Sequence, residues 1–424
     1  MNVLVIGHGA RMHALVLKFR QQGRAKKIYC VPGNAGTAEI AENVALDTSD
    51  FEQLSNFAIE KNIVVTIVAP ETPLVNGIVD VFEKKGLFIF GPRKKAAQIE
   101  GSKIFCNDLL QKYEIPSPQG WGFSDFNKAI EFLQEYSGEL VVKADGLAAG
   151  KGVIVAETQA EVTQALHDFM VKKKFGKASE KVLLQEKLRG FEVSVMVFTD
   201  GKNFVSMPFV QDHKRLLDND LGWNTGGMGA YAPIPLMDAL LKKEIDETII
   251  GPTLDALRKE GAEFRGVLYA GLMIHNNKPY VLEYNCRLGD PEAQVVLALL
   301  ESDLLEIIEG CCKSKLSQVQ VKWKNDVCVC VVLASPGYPE KPEIGKQIFG
   351  LDSVFSKNIE ILHAATIKKD GQFFSNGGRV LNVIATAPNL AQAITDVYAA
   401  VSQISFEGMQ YRKDIGKKGL KQIL

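Results

Sequence analysis

The chain has 424 residues, of which 46% are hydrophobic and 23% are charged, a balance typical of a globular protein with about three domains. Its 49 Lys and Arg nearly cancel its 50 Asp and Glu, which excludes the strongly basic class that binds nucleic acid or acidic membranes. With no signal peptide, no apolar run of about 18 residues and seven cysteines at no metal-like spacing, the sequence predicts a cytoplasmic protein with reduced thiols.

The first hundred residues alternate apolar strands with helical stretches, which predicts a small parallel α/β domain. Gly7 and Gly9 lie in the turn from the first strand into a helix, where backbone N–H groups can face a phosphate. Met12 takes the third glycine position of a dinucleotide fingerprint, so NAD binding is not predicted. Together with loops 32–37 and 70–74 the turn would line one crevice, although ordinary turn chemistry explains each loop equally well. Strands are expected at 2–6, 27–31, 64–69 and 87–90, and a further helix at 96–113.

Residues 140–155 contain two apolar segments around a Gly- and Ala-rich loop, which predicts a β-hairpin. The loop is not a Walker A loop, because Lys151 is wrongly spaced from Gly146 and Gly152 replaces Ser or Thr. A loop of small residues can still fold over a triphosphate, with Lys143 and Lys151 neutralising its charge. The alternative is a surface hairpin with two solvated lysines.

Two further stretches favour small-molecule binding. The strand 182–188 leads into another at 190–197, and a strand end beside a cleft can meet an adenine edge while Glu192 accepts ribose hydroxyl protons. Taken alone, Glu192 is better explained as a solvated strand residue. The donor-rich loops 211–215 and 224–231 suit an anionic small molecule, although charge runs usually mark a solvated face.

The strand 280–287 carries the strongest chemical pattern. Strand side chains alternate between faces, so Glu283, Asn285 and Arg287 share one polar face. A carboxylate beside an amide oxygen, with a guanidinium next along, suits Mg²⁺ and the phosphates of ATP. In isolation the same pattern would describe a surface strand. A helix around 236–259 and a strand at 266–274 precede it, a helix from Asp290 to Gly310 follows, and an α+β segment begins at 326.

Taken together, these stretches resemble the ATP-grasp superfamily and, within it, the phosphoribosylamine–glycine ligase family, nearly from end to end. The most specific matches are 32–37, 100–103, 143–153, 211–215, 224–231, 282–292, 376–381 and 411–416. The resemblance implies an ATP-grasp fold that combines α/β and α+β parts. A Rossmann-like parallel domain is expected at 1–102, an ATP-grasp domain at 103–310 with a lid at about 120–188, and a small α+β domain at 326–424.

The same resemblance implies an ATP-dependent ligase that activates glycine as glycyl phosphate and joins it to 5-phosphoribosylamine, with Mg²⁺ or Mn²⁺ bound. Glu283 and Asn285 would hold the metal, and Arg287 and Lys151 would be catalytic. The residues implied to contact ATP are Lys103, Lys143, Lys151, Gln185, Glu186, Leu188 and Glu192. Those implied to contact the substrates are Gly9, Pro32, Gly33, Asn34, Asp212, Lys214, Asn224, Thr225, Gly226, Gly227, Arg287, Gly289 and Asp290. Which of these hold glycine and which hold phosphoribosylamine stays open.

Five positions depart from the family pattern without removing a metal ligand or a phosphate lysine: Met12, Ala69, Gln185, Phe191 and Ala365. Their effects are expected on nucleotide and substrate affinity. Two other functions are alternatives to the ligase: a carboxylase of the purine or biotin type, and a nucleotide-binding protein without turnover. The expected partners are small molecules, with no nucleic acid and no membrane, and the expected state is a monomer or a weak dimer.

Overall fold

A five-stranded sheet opens the chain in the computed structural model, which describes residues 1–148, 151–235 and 237–421. Its strands are β1 (Asn2–Gly7), β2 (Lys27–Pro32), β3 (Glu42–Asn43), β4 (Ile63–Val68) and β5 (Ile89–Phe90), and its helices are α1 (Ala10–Gln22), α2 (Phe51–Glu60), α3 (Glu71–Asn76) and α4 (Ile78–Lys84). The order is β3-β2-β1-β4-β5, with every neighbouring pair parallel, as predicted. Val3, Leu4, Val5 and Ile6 are all fully buried, which explains why β1 is apolar on both faces.

The helix predicted at 96–113 is two helices, α5 (Lys94–Gly101) and α6 (Lys103–Lys112). The break lies at Ser102, whose backbone is extended and whose hydroxyl accepts a hydrogen bond from Phe105 N at 3.1 Å. An N-cap of this kind starts a new helix, because it satisfies an amide that would otherwise lack a partner. The predicted strand at 87–90 is also shorter than expected, since only Ile89 and Phe90 pair with β4.

An antiparallel sheet of four strands carries the predicted hairpin. Its strands are β6 (Gly120–Phe123), β7 (Leu140–Ala144), β8 (Val153–Val155) and β9 (Val182–Glu186), in the order β6-β9-β7-β8, and its helices are α7 (Phe126–Glu135) and α8 (Gln159–Leu166). β7 and β8 pair antiparallel, with Val142 opposite Ile154, which confirms the hairpin at 140–155. The loop residues Ala149 and Gly150 lie outside the described residues.

A second antiparallel sheet forms the centre of the molecule. It contains β10 (Phe191–Thr199), β11 (Phe204–Ser206), β16 (Gly266–His275) and β17 (Lys278–Asn285) in the order β11-β10-β16-β17. Between β11 and β16 the chain forms β12 (Gln211–Asp212), β13 (Arg215–Leu217), β14 (Leu221–Asn224), β15 (Gly229–Ala232), α9 (Ala239–Ile245) and α10 (Gly251–Lys259). One turn of π-helix, Asp246–Ile250, joins α9 to α10, so the helix predicted at 236–259 begins three residues later than expected, and Leu236 lies outside the described residues.

The prediction of one long helix from Asp290 to Gly310 is wrong, because the segment forms two helices. The chain forms α11 (Glu292–Leu299) and α12 (Leu304–Cys312). Asp303 starts the second helix by accepting a hydrogen bond from Glu306 N at 2.8 Å, and Leu300 pairs as a β-bridge with Trp323. Capping and a local strand contact therefore override the apolar run that suggested one helix.

The C-terminal strands complete a five-stranded antiparallel sheet with two strands from the middle of the chain. The elements are β18 (Val327–Ala334), β19 (Gln347–Ile348), β20 (Ile359–His363), β21 (Thr366–Lys369), β22 (Gln372–Ser375), β23 (Arg379–Ala387), α13 (Leu390–Val401) and α14 (Lys417–Lys421). The order is β12-β15-β18-β23-β20, so the substrate loops predicted at 211–215 and 224–231 are anchored to the C-terminal sheet. In the described part of the chain no helix is long and apolar enough to cross a membrane.

Neutral histidines hold the N-terminal and C-terminal sheets together. His13 Nδ1 accepts a hydrogen bond from His363 N at 2.8 Å, and the two rings lie 5.7 Å apart. Burial and the neighbouring His363 lower the pKa of His13 to about 3, and burial lowers the pKa of His363 to about 4. His213 is buried elsewhere in the fold, and burial lowers its pKa to about 3. All three rings are therefore uncharged in the folded protein at neutral pH.

Acidification from pH 7 to pH 5 is expected to destabilise the protein. The unfolded chain binds protons on these histidines below a pKa of about 6.5 and the folded chain does not, so stability is lost as the pH falls below that value. The loss at pH 5 is about 2 kcal/mol for each fully buried histidine. The measurement is the free energy of unfolding in urea at pH 7, 6 and 5.

The variant His363→Asn isolates this contribution. Burial raises the pKa values of Glu100 and Asp212, and those carboxyl groups act in the opposite direction because the folded state then binds their protons more tightly. Comparison of the variant with the natural protein cancels that effect. The variant should lose less stability between pH 7 and pH 5, and an equal loss in both proteins would contradict the assignment.

Candidate active site

Strand β17 ends at the candidate site, and its alternation places two oxygen ligands on one face. Glu283 lies opposite Gly271 and Asn285 lies opposite Tyr269 on the neighbouring strand β16. Tyr284 between them points to the other face, where its hydroxyl hydrogen-bonds to Thr253 of α10. Glu283 and Asn285 therefore lie on the same side of the sheet, as the sequence predicts.

Arg287 is held by oxygen atoms from three parts of the chain. Its Nε donates to Glu71 Oε2 at 3.2 Å and its Nη2 donates to Glu100 Oε1 at 2.8 Å. The same Nη2 donates to Asn285 Oδ1 at 3.0 Å. Burial works against the charge of Arg287, but Glu100 and Glu71 together raise its pKa, so the guanidinium stays protonated. A fork held at several atoms has a fixed direction, which a catalytic cation needs.

The two carboxylates that hold Arg287 differ in environment. Glu100 is 7% exposed and also accepts a hydrogen bond from Cys286 N at 2.7 Å, and its burial raises its pKa. The loop predicted at 70–74 is instead mostly helical, because α3 begins at Glu71, and Arg11 pairs with Glu71 at 3.9 Å. Although burial opposes the ionisation of Glu71, Arg287 and Arg11 lower its pKa. The N-terminal sheet therefore supplies an ionised partner to the arginine of β17.

The carboxylate of Glu283 is ionised and uncommitted. Within the described part of the chain it accepts no hydrogen bond and has no ion pair within 4.0 Å. Its burial favours the neutral form, but Lys214, Lys103 and Lys143 outweigh that effect and lower its pKa. An ionised carboxylate with free oxygens beside several cations is suited to a metal ion that is itself bound to phosphates.

Lys143 of β7 reaches from the hairpin toward the same strand. Its Nζ donates to Gln185 Oε1 at 2.6 Å and to Leu282 O at 2.9 Å. Burial lowers the pKa of Lys143 to about 8, even though Glu283 acts in the opposite direction. Gln185 is one of the departures from the family pattern, and its neutral amide gives Lys143 no compensating negative charge.

The other residues predicted to contact the nucleotide follow β9 into β10. Glu186 ends β9, where its Oε1 accepts a hydrogen bond from Tyr136 OH at 3.3 Å, and Leu188 is half-buried in the connection to β10. Glu192 Oε2 lies 2.8 Å from Lys214 Nζ. Burial works against the charge of Lys214, but Glu192 and Glu283 raise its pKa. Lys214 therefore pairs with the predicted ribose carboxylate and is influenced by the predicted metal ligand Glu283.

The loop of the β7–β8 hairpin is anchored at both shoulders. Asp145 Oδ1 accepts hydrogen bonds from Ser102 Oγ and Ile104 N, both at 2.8 Å, and Asp145 O accepts one from Lys103 N at 3.0 Å. These contacts fix the end of β7 to the start of α6. At the other shoulder Lys151 Nζ donates to Pro339 O in the C-terminal region at 3.0 Å. A contact between Lys151 and a phosphate would replace that hydrogen bond.

Arg379 of β23 gathers three of the predicted substrate segments. Its Nη1 donates to Asp290 O at 2.7 Å and to Gly226 O at 2.6 Å, and its Nη2 lies 3.4 Å from Asp290 Oδ1. Gly9 packs against the same residue, since a Cβ there would lie 3.3 Å from Asp290 Oδ2. Although burial opposes the ionisation of Asp290, Arg379 and Arg11 lower its pKa. Arg379 therefore joins Gly226 to Asp290, and Gly9 packs against Asp290.

The turn after β14 is built by its own polar groups. Thr225 Oγ1 donates to Lys214 O at 2.9 Å and accepts from Gly227 N at 3.0 Å, while Asn224 pairs with Arg215 across β13 and β14. Gly227 has a φ of +110° and packs against Pro291. A Cβ at Gly289 would lie 2.4 Å from Glu292 Oε2, so that position has no room for a side chain.

The loop after β2 is committed to structure through its side chains. Asn34 Nδ2 donates to His8 O at 2.9 Å and to His363 O at 2.8 Å, which ties the loop to the first loop and to the C-terminal sheet. Gly33, which follows Pro32, has a φ of +79°, and a Cβ there would lie 2.2 Å from Asn43 Oδ1. Pro32, Gly33 and Asn34 can thus offer a substrate mainly backbone groups.

Comparisons with known proteins extend over the whole site. Three family models match: the N domain of phosphoribosylglycinamide synthetase over residues 1–100, its ATP-grasp (A) domain over 101–293 and its C domain over 328–418. A phosphoribosylamine–glycine ligase of Caldanaerobacter subterraneus subsp. tengcongensis is 46% identical over 415 residues, which are 98% of this chain and 99% of that protein. A crystal structure of the Thermotoga maritima phosphoribosylamine–glycine ligase superposes with a TM-score of 0.86 at 33% identity, covering 98% of this chain and 100% of the other.

The chain belongs to the phosphoribosylglycinamide synthetase family.

The fold reaches beyond phosphoribosylglycinamide synthetases. The biotin carboxylase domain of Hydrogenobacter thermophilus 2-oxoglutarate carboxylase, solved with MgADP, ADP and bicarbonate, superposes with a TM-score of 0.74. It is 14% identical and covers 97% of this chain and 91% of that one. At that identity the likeness describes the ATP-grasp fold alone.

The residues that depart from the pattern of phosphoribosylglycinamide synthetases lie mostly in packed positions. Met12 and Ala69 are buried in the core beneath the first loop, where both approach Gly7. Ala365 N donates to Arg379 O at 3.1 Å, and Phe191 begins β10 opposite Ile274. Only Gln185 contacts a predicted nucleotide residue directly, through Lys143.

Sequence reasoning missed the residues that orient the candidate site. Arg11, Glu71 and Glu100 surround Arg287, and Arg379 gathers the substrate loops. All four lie in stretches that the sequence singled out for other reasons, but their partners are distant in the chain: Arg11 and Glu71 are 60 residues apart, and Arg379 and Asp290 are 89 apart. A charged residue beside a glycine was the available signal, as in Glu100 beside Gly101 and Arg379 beside Gly378.

Proposed function

We propose that the chain is an ATP-dependent ligase that joins glycine to 5-phosphoribosylamine and yields glycinamide ribonucleotide, ADP and phosphate. This reaction is a step of purine biosynthesis, and we propose that it takes place in the cytoplasm. The observation that carries the proposal is the ionised, uncommitted carboxylate of Glu283, which lies among Lys103, Lys143 and Lys214. Full-length similarity to phosphoribosylamine–glycine ligases supports the choice of substrates. The proposed domains are 1–102, 103–310 with a lid at about 120–188, and 326–424.

The donor set fits a divalent metal ion, Mg²⁺ or Mn²⁺, at Glu283 and Asn285. Both offer hard oxygen atoms on one face of β17, and Glu283 has no other partner in the described chain. Nowhere in that part of the chain do three or more His, Cys, Asp or Glu side chains form a metal cluster. A site with so few protein ligands suits a metal that also binds substrate phosphates. Such an ion offsets charge on the triphosphate as its terminal phosphoryl group transfers.

The nucleotide would lie between the sheet β6-β9-β7-β8 and the sheet β11-β10-β16-β17. Lys103, Lys143 and Lys151 would neutralise its phosphates, and the last would do so after leaving Pro339 O. The adenine would meet the strand end at Gln185, Glu186 and Leu188, and the ribose would meet Glu192. The lysines beside Glu283 and the position of Gln185 and Glu186 at the end of β9 support this proposal.

The reaction proceeds by two displacements. A carboxylate oxygen of glycine attacks the γ-phosphorus of ATP, ADP leaves, and glycyl phosphate forms. The amine nitrogen of phosphoribosylamine then attacks the acyl carbon, loses a proton, and expels phosphate. Arg287 would stabilise the negative charge that develops on the acyl phosphate and on its tetrahedral successor, because Glu71 and Glu100 already fix its direction. Its fork is thus oriented before the substrates arrive.

Release of ADP tests the proposed function. The protein is incubated with ATP-Mg, glycine and freshly prepared phosphoribosylamine, and ADP is measured with each component omitted in turn. ADP formation that requires both glycine and phosphoribosylamine is expected. Formation that depends on bicarbonate would support a carboxylase, and ATP binding without turnover would support a non-enzymatic role. ADP release that is indifferent to glycine would contradict the proposed ligase.

The affinity for ATP is expected to fall above pH 8. Burial lowers the pKa of Lys143 to about 8, so the free enzyme keeps its phosphate-binding charge below that pH and loses it above. The KM for ATP should rise about tenfold per pH unit above pH 8, as expected for one required proton. The variant Gln185→Glu places a carboxylate 2.6 Å from Lys143 Nζ and should move the rise to higher pH. An unmoved profile would contradict the role of Lys143.

A further inference from the structure

Asp212 has a buried carboxylate oxygen that the protein leaves without a partner. It lies on β12 opposite Ala230, and its Oδ1 accepts no hydrogen bond. No Lys or Arg nitrogen of the described chain lies within 4.0 Å of its carboxylate. A buried acceptor without a partner costs free energy, so its presence at a binding site points to a group supplied from outside the chain.

The cations nearest to Asp212 are already engaged. Lys214 Nζ pairs with Glu192 at 2.8 Å, and Arg379 pairs with Asp290 at 3.4 Å. Both lower the pKa of Asp212, but burial and the neighbouring Glu292 raise it by more. The two neighbouring cations therefore leave the carboxylate of Asp212 without a paired positive charge.

Glu292 adds negative charge near Asp212, but its own carboxylate already accepts hydrogen bonds from protein groups. It is 3% exposed, and its Oε1 accepts hydrogen bonds from Tyr269 OH at 2.7 Å and from Ser194 Oγ at 3.1 Å. On the other side, a Cβ at Gly227 would lie 2.8 Å from Asp212 Oδ1. Asp212 thus faces the backbone of the proposed substrate loop.

The proposed reaction brings two amines of different charge to the site. Glycine carries an ammonium group at neutral pH, whereas phosphoribosylamine attacks as a neutral amine and carries a phosphate. A buried carboxylate attracts the ammonium and repels the phosphate. We infer that Asp212 binds the ammonium group of glycine, which assigns the loop at Gly227 to glycine rather than to phosphoribosylamine. The inference rests on the proposed function.

The variant Asp212→Asn tests the assignment in the full-length enzyme. Loss of a charge-assisted hydrogen bond should raise the KM for glycine on the order of 10- to 100-fold. The KM values for ATP and phosphoribosylamine should stay within about threefold of those of the natural enzyme. A matched variant, Glu192→Gln, removes a carboxylate that pairs with Lys214 and should raise the KM for ATP instead of that for glycine.

Two readouts separate binding from a structural role. Asp212→Asn removes an unpaired buried charge, so its midpoint of thermal unfolding should not fall. Glycolate, in which a hydroxyl replaces the ammonium, should inhibit the natural enzyme with a Ki at least tenfold above the KM for glycine. In the variant the two constants should converge.

Two outcomes would overturn the inference while the proposed function stands: an unchanged KM for glycine, or a rise confined to phosphoribosylamine. A natural enzyme that forms no glycine-dependent ADP would instead overturn the proposed function. The controls on the natural enzyme therefore separate the two failures.

Discussion

Substitution of Glu283 by Gln is expected to lower glycine-dependent ADP formation by about 10³-fold, because a metal ion supplies several kcal/mol of transition-state stabilisation. The substitution keeps the size of the side chain and removes its charge. Glu283 has no hydrogen bond or ion pair in the described chain, so the fold should not depend on it. The measurement is kcat at saturating ATP and glycine, with Mg²⁺ varied.

A matched control separates this effect from a general loss of charge. Glu247→Gln removes an exposed carboxylate that lies 3.8 Å from Lys243, and surface pairs of this kind contribute little to stability. Its kcat and its unfolding midpoint should equal those of the natural enzyme. Near-normal turnover in Glu283→Gln, with Mg²⁺ at ordinary concentration, would exclude Glu283 as a metal ligand.

Substitution of Arg287 by Lys is expected to lower kcat by about 10²-fold while the KM for ATP changes little. Lysine keeps the positive charge but offers one nitrogen, whereas the guanidinium binds Glu71 through Nε and both Glu100 and Asn285 through Nη2. A cation that is no longer oriented stabilises the developing charge less well. Steady-state rates at several glycine concentrations separate kcat from KM.

The control for this variant is Arg265→Lys. Arg265 pairs with Glu263 in a half-buried position just before β16 and has no ion pair with the partners of Arg287, so its replacement should leave kcat unchanged. If Arg287→Lys instead raised only the KM for ATP, the arginine would be part of the nucleotide site and its proposed role in acyl transfer would be wrong.

Local patterns were sufficient to predict the elements that carry the site. Alternation along 280–287 gave the shared face of Glu283 and Asn285, and the small-residue loop between two apolar segments gave the hairpin at 140–155. The alternation of strands with helices predicted that the first sheet is parallel, but not the order of its strands. Each of these depends on residues close together in the chain, where sequence and structure are linked directly.

The parts that escaped prediction depend on distant contacts. Glu100 contacts Arg287 although 187 residues separate them in the chain. β15 pairs with β18 although β16, β17 and the helices α9 to α12 lie between them in the chain. No local pattern reports such partners. The breaks at Ser102 and Asp303 are different, since a capping side chain marks each and was overridden by the apolar periodicity around it.

The metal position tests the central claim most directly. Crystals grown with Mn²⁺ and a non-hydrolysable ATP analogue would give an anomalous difference map in which manganese is located independently of the protein. We expect a manganese peak at which the ion is coordinated by Glu283, Asn285 and the phosphates of the analogue. A well-ordered analogue with its manganese bound away from both residues would contradict it.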